Sequence, residues 1–130
     1  MTTYLLDANA LIALVIYDHE HHPRAAAWVA DLQRIAICPI VEGAMLRYLI
    51  RVGESQATAA TVLAGVHASP RCEFWPDSIS YTAASLEHVL GHRQLTDAYL
   101  ASLAASRGGK LGTFDQALAQ ALPAATELIP

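Results

Sequence analysis

The sequence predicts an α/β fold in which helices cover both faces of a short parallel central sheet. Apolar runs of strand length alternate along the chain with longer segments of helical periodicity, a pattern typical of parallel sheets. The composition indicates a packed core, because 54% of the residues are hydrophobic and 15% are charged, which excludes a disordered chain. A length of 130 residues predicts a single domain over residues 1–130.

Short apolar runs bounded by polar residues or proline predict the strands. The first run ends at Asp7, and Pro76 stops the run that begins at Cys72. The predicted strands are Tyr4–Leu6, Ile35–Ile37, Cys72–Trp75, Lys110–Thr113 and, at an edge, Leu128–Ile129.

Helical periodicity and end signals predict the segments between these strands. Pro39 suits the first turn of a helix, Ser55 suits an N-cap, and Gly108 and Gly109 would end a helix that Thr96 caps. The least regular segment is Tyr81–Val89, for which we also expect a helix. The other predicted helices are Ala8–Ile16, His21–Leu32, Ile40–Arg51, a helix that follows Ser55, Asp97–Ser106 and Gln116–Ala121.

Charge and cysteine content narrow the functional classes. The formal net charge of −4 argues against a protein that binds nucleic acid through bulk positive charge alone. Cys38 and Cys72 have no metal-site spacing, and we expect two reduced, buried thiols in a cytoplasmic protein, although one disulfide is formally possible. No apolar stretch approaches the roughly 20 residues that cross a bilayer, so we expect no membrane association.

Acidic residues stand where the predicted strands end and helices begin. Asp7 and Asp115 follow strands, and Asp97 opens a helix. Sites in parallel α/β folds form outside the carboxyl ends of the strands, so these carboxylates can converge on one edge. Each also has a purely structural explanation as a helix cap or first-turn acid, and the same holds for Glu42 in its apolar helix.

Converging carboxylates call for a cation. Two of them within about 4 Å repel by roughly 4 kcal/mol at an effective dielectric near 20. Oxygen ligands without histidine or cysteine favour Mg²⁺ or Mn²⁺. Such an ion activates water and screens phosphate charge, so the pattern is typical of a site that hydrolyses phosphodiesters.

The set Asp7-Ala8-Asn9, Glu42, Thr96-Asp97 and Thr113-Phe114-Asp115 resembles the PIN-domain ribonucleases, and within them the VapC toxins of type II toxin–antitoxin pairs. The resemblance covers essentially the whole chain and implies a PIN-like α/β/α sandwich. It implies that four residues are catalytic and surround Mg²⁺ or Mn²⁺, namely Asp7, Glu42, Asp97 and Asp115. It also implies supporting roles for Asn9, Thr113 and Thr96.

The same resemblance implies a reaction and partners. We expect endonucleolytic cleavage of RNA by a metal-activated water, leaving a 5′-phosphate and a 3′-hydroxyl. A VapB-like antitoxin would neutralise the toxin, which would form a homodimer. Arg93 and Arg47 are candidates for contacts to RNA, with solvated surface charge as the ordinary alternative for each. His92-Arg93-Gln94 either reaches the RNA backbone or forms a polar surface loop.

Three other functions compete with this interpretation. A receiver-like signalling module needs an Asp after a mid-chain strand, where this chain has Cys38-Pro39. A hydrolase of the haloacid type needs a second Asp where Asn9 stands. A PIN-like domain that only binds partners stays possible, although its acidic positions are intact.

Overall fold

The fold is built on one five-stranded sheet. The computed structural model describes residues 1–130, and its strand order is β3-β2-β1-β4-β5. Every pair of neighbouring strands is parallel, which confirms the predicted fold class. The strands are β1 (Tyr4–Leu6), β2 (Ile35–Ile37), β3 (Cys72–Phe74), β4 (Lys110–Thr113) and β5 (Thr126–Leu128).

Six α-helices flank the sheet. Helix α1 packs against α2 and α3, α3 packs against α4, and α5 lies against β1 and β4. The helices are α1 (Ala8–Val15), α2 (His22–Ala30), α3 (Pro39–Arg51), α4 (Gln56–Ala68), α5 (Leu95–Ser106) and α6 (Gln116–Ala121). Two 3₁₀ turns, Tyr81–Ala83 and His92–Gln94, precede α5.

The central strands β1 and β4 bring their carboxyl ends together. Leu6 is paired with Gly112, and the Asp7 N–H donates to the Gly112 carbonyl at 3.2 Å. The residues that follow the two strands therefore leave the sheet side by side. This pairing positions the candidate site.

Close packing surrounds these central strands. Leu5, Leu6 and Leu111 are fully buried, and burial of each such side chain contributes roughly 1.5–3 kcal/mol. Gly112 leaves room for Trp28 of α2, because a Cβ at residue 112 would come within 2.3 Å of the indole ring. A rigid core thus holds the strand ends in place.

The segment between β3 and α5 departs from the sequence-based expectation. The predicted helix Tyr81–Val89 is wrong, because only the 3₁₀ turn Tyr81–Ala83 forms and the backbone extends again at Ala84. The Ser85 N–H donates to the Ser102 hydroxyl, and the Tyr99 hydroxyl donates to the Ile79 carbonyl. These bonds to α5 hold the segment in an irregular path.

Thr96 is not the N-cap of α5, as the sequence analysis predicted. The helix begins at Leu95 directly after the turn His92–Gln94, so Thr96 is its exposed second residue. An N-cap needs extended backbone, whereas Gln94 at the cap position is already helical.

Two other predicted helix ends are confirmed. The Ser55 hydroxyl accepts from the Thr58 N–H, as a cap should, and Gly108 takes the left-handed conformation with a φ of 73° after α5. Edge strand β5 covers Thr126–Leu128, whereas the predicted strand was Leu128–Ile129, so the strand both begins and ends earlier than predicted. Ile129 is buried beyond it, and its N–H donates to the Thr113 carbonyl at 2.8 Å.

The structure contains no disulfide and no helix that could span a membrane. Cys38 and Cys72 are both free; Cys38 is buried as expected, whereas Cys72 is only half-buried. None of the helices combines the length and the apolar character that a membrane span requires.

Candidate active site

Asp7 is a buried carboxylate at the end of β1. It is only 4% exposed, and its Oδ1 accepts from the Ala10 N–H at 2.8 Å as the N-cap of α1. Capping uses one carboxylate oxygen, so the structural explanation for Asp7 is correct but incomplete. A cap at a surface helix would not require such deep burial of a charge.

Thr113 and Asp115 form the corresponding end of β4. The Thr113 hydroxyl is fully buried and accepts from the Asp115 N–H at 3.0 Å. Asp115 is exposed and caps α6, where its Oδ1 accepts from the Leu118 N–H at 3.1 Å. Thr113 therefore fixes the turn that presents Asp115, in keeping with the supporting role expected for it.

The pKa values of two aspartates are raised, first by burial and further by neighbouring carboxylates. Burial raises the pKa of Asp7 to about 6, against hydrogen bonds from Thr113 and Ala10 that lower it, and the charges of Asp97 and Asp115 raise it further. Burial also raises the pKa of Asp97, and the charge of Asp115 adds to this. We call Asp7, Asp97 and Asp115 the aspartate cluster.

No arginine, lysine or histidine forms an ion pair with the aspartate cluster. The close contacts between basic and acidic side chains join Arg34 to Glu73, His21 to Glu20 and His67 to Glu42, the histidine contacts being ion pairs only when the histidine is protonated, and none includes a member of the cluster. The cluster is thus a concentration of negative charge at the carboxyl end of the sheet.

Glu42 differs from the three aspartates. It lies in the first turn of α3, its side chain is 17% exposed, and its Oε2 is hydrogen-bonded to Nε2 of His67 on α4. Sequence reasoning missed His67 because the contact joins two separate helices and leaves no local pattern.

A small cavity opens on one side of the aspartate cluster. It has a volume of about 190 Å³ and is lined in part by His88, Arg93, Gln94, Asp97 and Asp115. We call it the His88 cavity. Arg93, a predicted RNA contact, lines this cavity, whereas His92, which was predicted together with it, is exposed and does not.

A basic groove adjoins the cluster through the start of α1. It has a volume of about 270 Å³, and its lining includes Ala8, Asn9, His19, Arg47 and Arg51. We call it the Arg47 groove. Asn9 is exposed and lines this groove together with Arg47, whereas Thr96 is exposed on α5 and lines neither this groove nor the His88 cavity.

Comparison with known families agrees with this geometry. The family model of the PIN domain matches residues 4–121 of this sequence, a range that contains all four predicted acidic residues. The chain belongs to the PIN-domain family.

The curated relatives of this PIN domain are VapC ribonucleases. It is 47% identical to ribonuclease VapC29 of Mycobacterium tuberculosis, over 98% of this chain and 97% of the relative. It is 36% identical to ribonuclease VapC39 of the same organism, over 94% and 95% of the two chains. The predictions of a PIN domain, of the VapC family and of an enzyme of the ribonuclease class are therefore confirmed.

Solved structures share the fold of this PIN domain. M. tuberculosis VapC20, a toxin that cleaves the sarcin–ricin loop, superposes with a TM-score of 0.71 at 17% identity, covering 91% of this chain and 94% of that one. A toxin–antitoxin complex from Klebsiella pneumoniae gives a TM-score of 0.68 at 19% identity, covering 98% of each chain. VapBC2 of Rickettsia felis, bound to a promoter DNA fragment, gives 0.67 at 19% identity, covering 98% and 97%.

The residues of this PIN domain fit a hard divalent cation by their chemistry. The cluster supplies carboxylate oxygens only, and Asp7 and Asp115 each spend just one oxygen on a cap. No three His, Cys, Asp or Glu side chains are arranged to hold an ion as they stand. Mg²⁺ does not demand this, because it commonly takes one or two carboxylates and keeps several waters.

Proposed function

We propose that this PIN domain is a Mg²⁺- or Mn²⁺-dependent endoribonuclease, the toxin of a VapBC-type pair. The observation that carries the proposal is the aspartate cluster: burial and the charges of neighbouring carboxylates raise the pKa values of Asp7 and Asp97, and no ion pair neutralises the cluster. The receiver-like alternative is not favoured, because Cys38-Pro39 rather than an aspartate follows β2.

The four acidic residues have distinct tasks in this proposal. Asp7 and Asp97 hold the ion, Asp115 holds it directly or through water, and Glu42 approaches from α3. When bound, the ion supplies an activated water and screens the phosphate charge. Thr113 keeps Asp7 and Asp115 in register through its buried hydroxyl, and Asn9 contributes an amide at the edge of the site.

RNA would cross the cluster between the two basic surfaces. Arg47 and Arg51 line the groove on the α1 side, and Arg93 lines the His88 cavity on the other side. Arginine suits phosphate because its planar donors pair with two oxygens. Local cations of this kind allow a chain of net charge −4 to bind a polyanion.

The neutralising partner would be a VapB-like antitoxin, and the toxin would act as a cytoplasmic homodimer. Two of the similar structures are toxin–antitoxin assemblies, VapBC2 and the K. pneumoniae complex. A surface groove of about 450 Å³ offers apolar contacts for a partner, and its lining includes Val15, Ile16, Tyr48, Val52 and Val62. The test of this pairing is the reading frame beside the gene. We expect it to encode a short DNA-binding-type protein that copurifies with the toxin and stops its cleavage of RNA.

The direct test of the enzyme is cleavage of RNA by the purified chain. We expect cleavage with Mg²⁺ or Mn²⁺, none with EDTA, and recovery when the metal is restored. Asp7→Asn should strongly reduce cleavage while the protein stays folded, and Asp31→Asn is the matched control because Asp31 is an exposed acid outside the site. Equal cleavage by both variants would assign the activity to a contaminant and contradict the proposal.

A further inference from the structure

Arg24 of α2 binds the chain around the end of β4. Its guanidinium carbon lies 4.7 Å from the centroid of the Phe114 ring. Its Nε donates to the main-chain oxygen of Pro130 at 2.9 Å, and its Nη2 donates to the Ile129 carbonyl at 3.1 Å. Its Nη1 lies 3.2 Å from Nδ1 of His21, whose ring also packs on Phe114 at 5.2 Å. Each nitrogen of the guanidinium is therefore engaged while its carbon lies over the ring.

The contacts of Arg24 join two segments that pass beside the aspartate cluster. Phe114 stands between Thr113 and Asp115, and it packs against the hydrophobic core. Ile129 accepts from Arg24, and its own N–H donates to the Thr113 carbonyl at 2.8 Å. Arg24 thus holds the turn after β4 from two directions, through the Phe114 ring and through the chain that follows β5.

The turn after β4 determines where the Asp115 carboxylate stands. The Asp115 N–H donates to the Thr113 hydroxyl, and its Oδ1 caps α6. Helix α6 spans six residues, of which Leu118 alone is buried. Such a helix is a weak anchor, because most helical stability in proteins comes from tertiary packing. The clamp on Phe114 therefore contributes to the placement of the carboxylate.

Arg24 acts on Asp115 through position rather than through charge. No ion pair joins the two side chains. A lysine would supply the same charge, but it lacks the planar group that covers a ring while donating to separate acceptors. The two roles differ in sign. Loss of a nearby positive charge would strengthen the binding of a divalent cation, whereas loss of position would weaken it.

We propose that Arg24 is a positioning residue: by clamping Phe114 to the chain that follows β5, it places the Asp115 carboxylate within the aspartate cluster. The inference rests on the proposed ribonuclease function, because it concerns the ion that the cluster would hold. It gives a task to an arginine of α2 that lies outside the acidic motif.

Calorimetric titration with Mn²⁺ at pH 7 tests this assignment without RNA. We expect Arg24→Ala to weaken Mn²⁺ binding about tenfold, the lower end of the range for residues that orient a metal ligand. Arg24→Lys keeps the charge but not the planar fork, so it should also weaken binding, by about threefold or more. Unchanged or tighter binding by Arg24→Ala would overturn the inference.

Arg71 provides the matched control. It is a second arginine that donates to main-chain carbonyls, those of Val29 and Leu32, at 3.2 and 2.6 Å. Arg24→Ala and Arg71→Ala both remove such bonds, so urea denaturation should show losses of stability in both. Only Arg24→Ala should lose affinity for Mn²⁺. An equal loss of affinity in Arg71→Ala would assign the effect to general stability and overturn the inference.

A double-mutant cycle tests whether Arg24 acts through Asp115. Asp115→Asn removes the charge but keeps a residue that caps α6, and Asp7 and Asp97 remain for weaker Mn²⁺ binding. In this background Arg24→Ala should change the affinity by less than about twofold, because the carboxylate that Arg24 places is absent. If the whole loss persists in the double variant, Arg24 acts elsewhere and the inference is wrong.

Hydrogen exchange of the metal-free protein, followed by NMR, separates this inference from the proposed function. The reporters are the N–H groups of Asp115 and Leu118, with the Ala10 N–H at the cap of α1 as internal reference. We expect Arg24→Ala to speed exchange of both reporters about fivefold or more relative to Ala10. Unchanged exchange overturns the inference. A wild-type chain that binds no Mn²⁺ refutes the metal site, while faster exchange in Arg24→Ala leaves the placement of Asp115 standing.

Discussion

The aspartate cluster and the contact between α3 and α4 treat their carboxylates differently. On the β1–β4–α5 side, the charges of Asp97 and Asp115 act on the buried Asp7, and no ion pair includes any of the three. On the α3–α4 side, Glu42 already has His67 as its partner. The four acids look equivalent in the sequence, but three of them have no basic side chain paired with them, and the fourth, Glu42, is hydrogen-bonded to a histidine.

This difference shows which carboxylates lower the stability of the metal-free protein for the sake of function. A buried carboxylate beside like charges destabilises the metal-free fold, and a divalent ion removes that cost when it binds. Glu42 carries no comparable cost, because a hydrogen bond to His67 already satisfies it. Substitutions on the two sides should consequently differ in both activity and stability.

The largest effect is expected for Asp97→Asn. It removes a charge that the proposal uses to hold the ion, while the amide fits the same space. We expect RNA cleavage with Mg²⁺ to fall by about 100-fold or more, as for loss of a group aimed at the reacting charge. The measurement is the rate of RNA cleavage at saturating metal, and circular dichroism checks that the variant is folded. Activity within a few-fold of wild type would remove Asp97 from the machinery.

Asp7→Asn should lower activity and raise stability. The asparagine can still cap α1, but it no longer buries a charge. In EDTA at pH 7 we expect the variant to unfold with a free energy about 2 kcal/mol higher than wild type, an upper range set by the pKa shift. Urea denaturation measures this. A less stable Asp7→Asn protein would contradict the electrostatic account.

The pH dependence of the wild type follows from the same shift. The pKa of Asp7 is about 6 in the folded chain against 3.8 for the ordinary group. Between these values the folded state binds more protons, so the stability of the metal-free protein should fall as pH rises from about 4 to 6. Asp7→Asn should flatten this slope. Protons and metal compete for the carboxylate, so metal affinity should rise over the same interval.

Glu42→Gln should have a smaller effect than either aspartate change. The amide keeps a hydrogen-bonding group beside His67, and Glu42 lies outside the aspartate cluster, so we expect about a tenfold loss of cleavage. His67→Ala frees Glu42 and should change cleavage by no more than about threefold. A loss in Glu42→Gln as large as that in Asp97→Asn would mean that Glu42 leaves His67 to join the cluster during the reaction.

The sequence predicted the parts of the structure that local chemistry determines. Strands such as Ile35–Ile37 and the helix Gln116–Ala121 have the predicted boundaries, because apolar runs and strong end signals coincide there. Asp7 and Asp115 were placed at strand ends for the same reason, and parallel pairing of β1 with β4 then brings them to one edge.

Contacts between distant segments account for the rest. Tyr81–Val89 has helical composition, but the bond of Ser85 to Ser102 of α5 and that of the preceding Ile79 to Tyr99 hold the segment in another path. The pairing of Glu42 with His67 and the inward turn of His88 depend on how whole helices and loops pack. No window of the sequence contains both partners of such contacts.

Calorimetric titration of the metal-free protein with Mn²⁺ tests the central claim most directly, namely that three aspartates from β1, β4 and α5 jointly hold a divalent ion. We predict a saturable site in the wild-type chain at pH 7 that is lost or greatly weakened in Asp97→Asn and retained in Asp31→Asn. No binding by the wild type, or equal binding by wild type and Asp97→Asn, would contradict it.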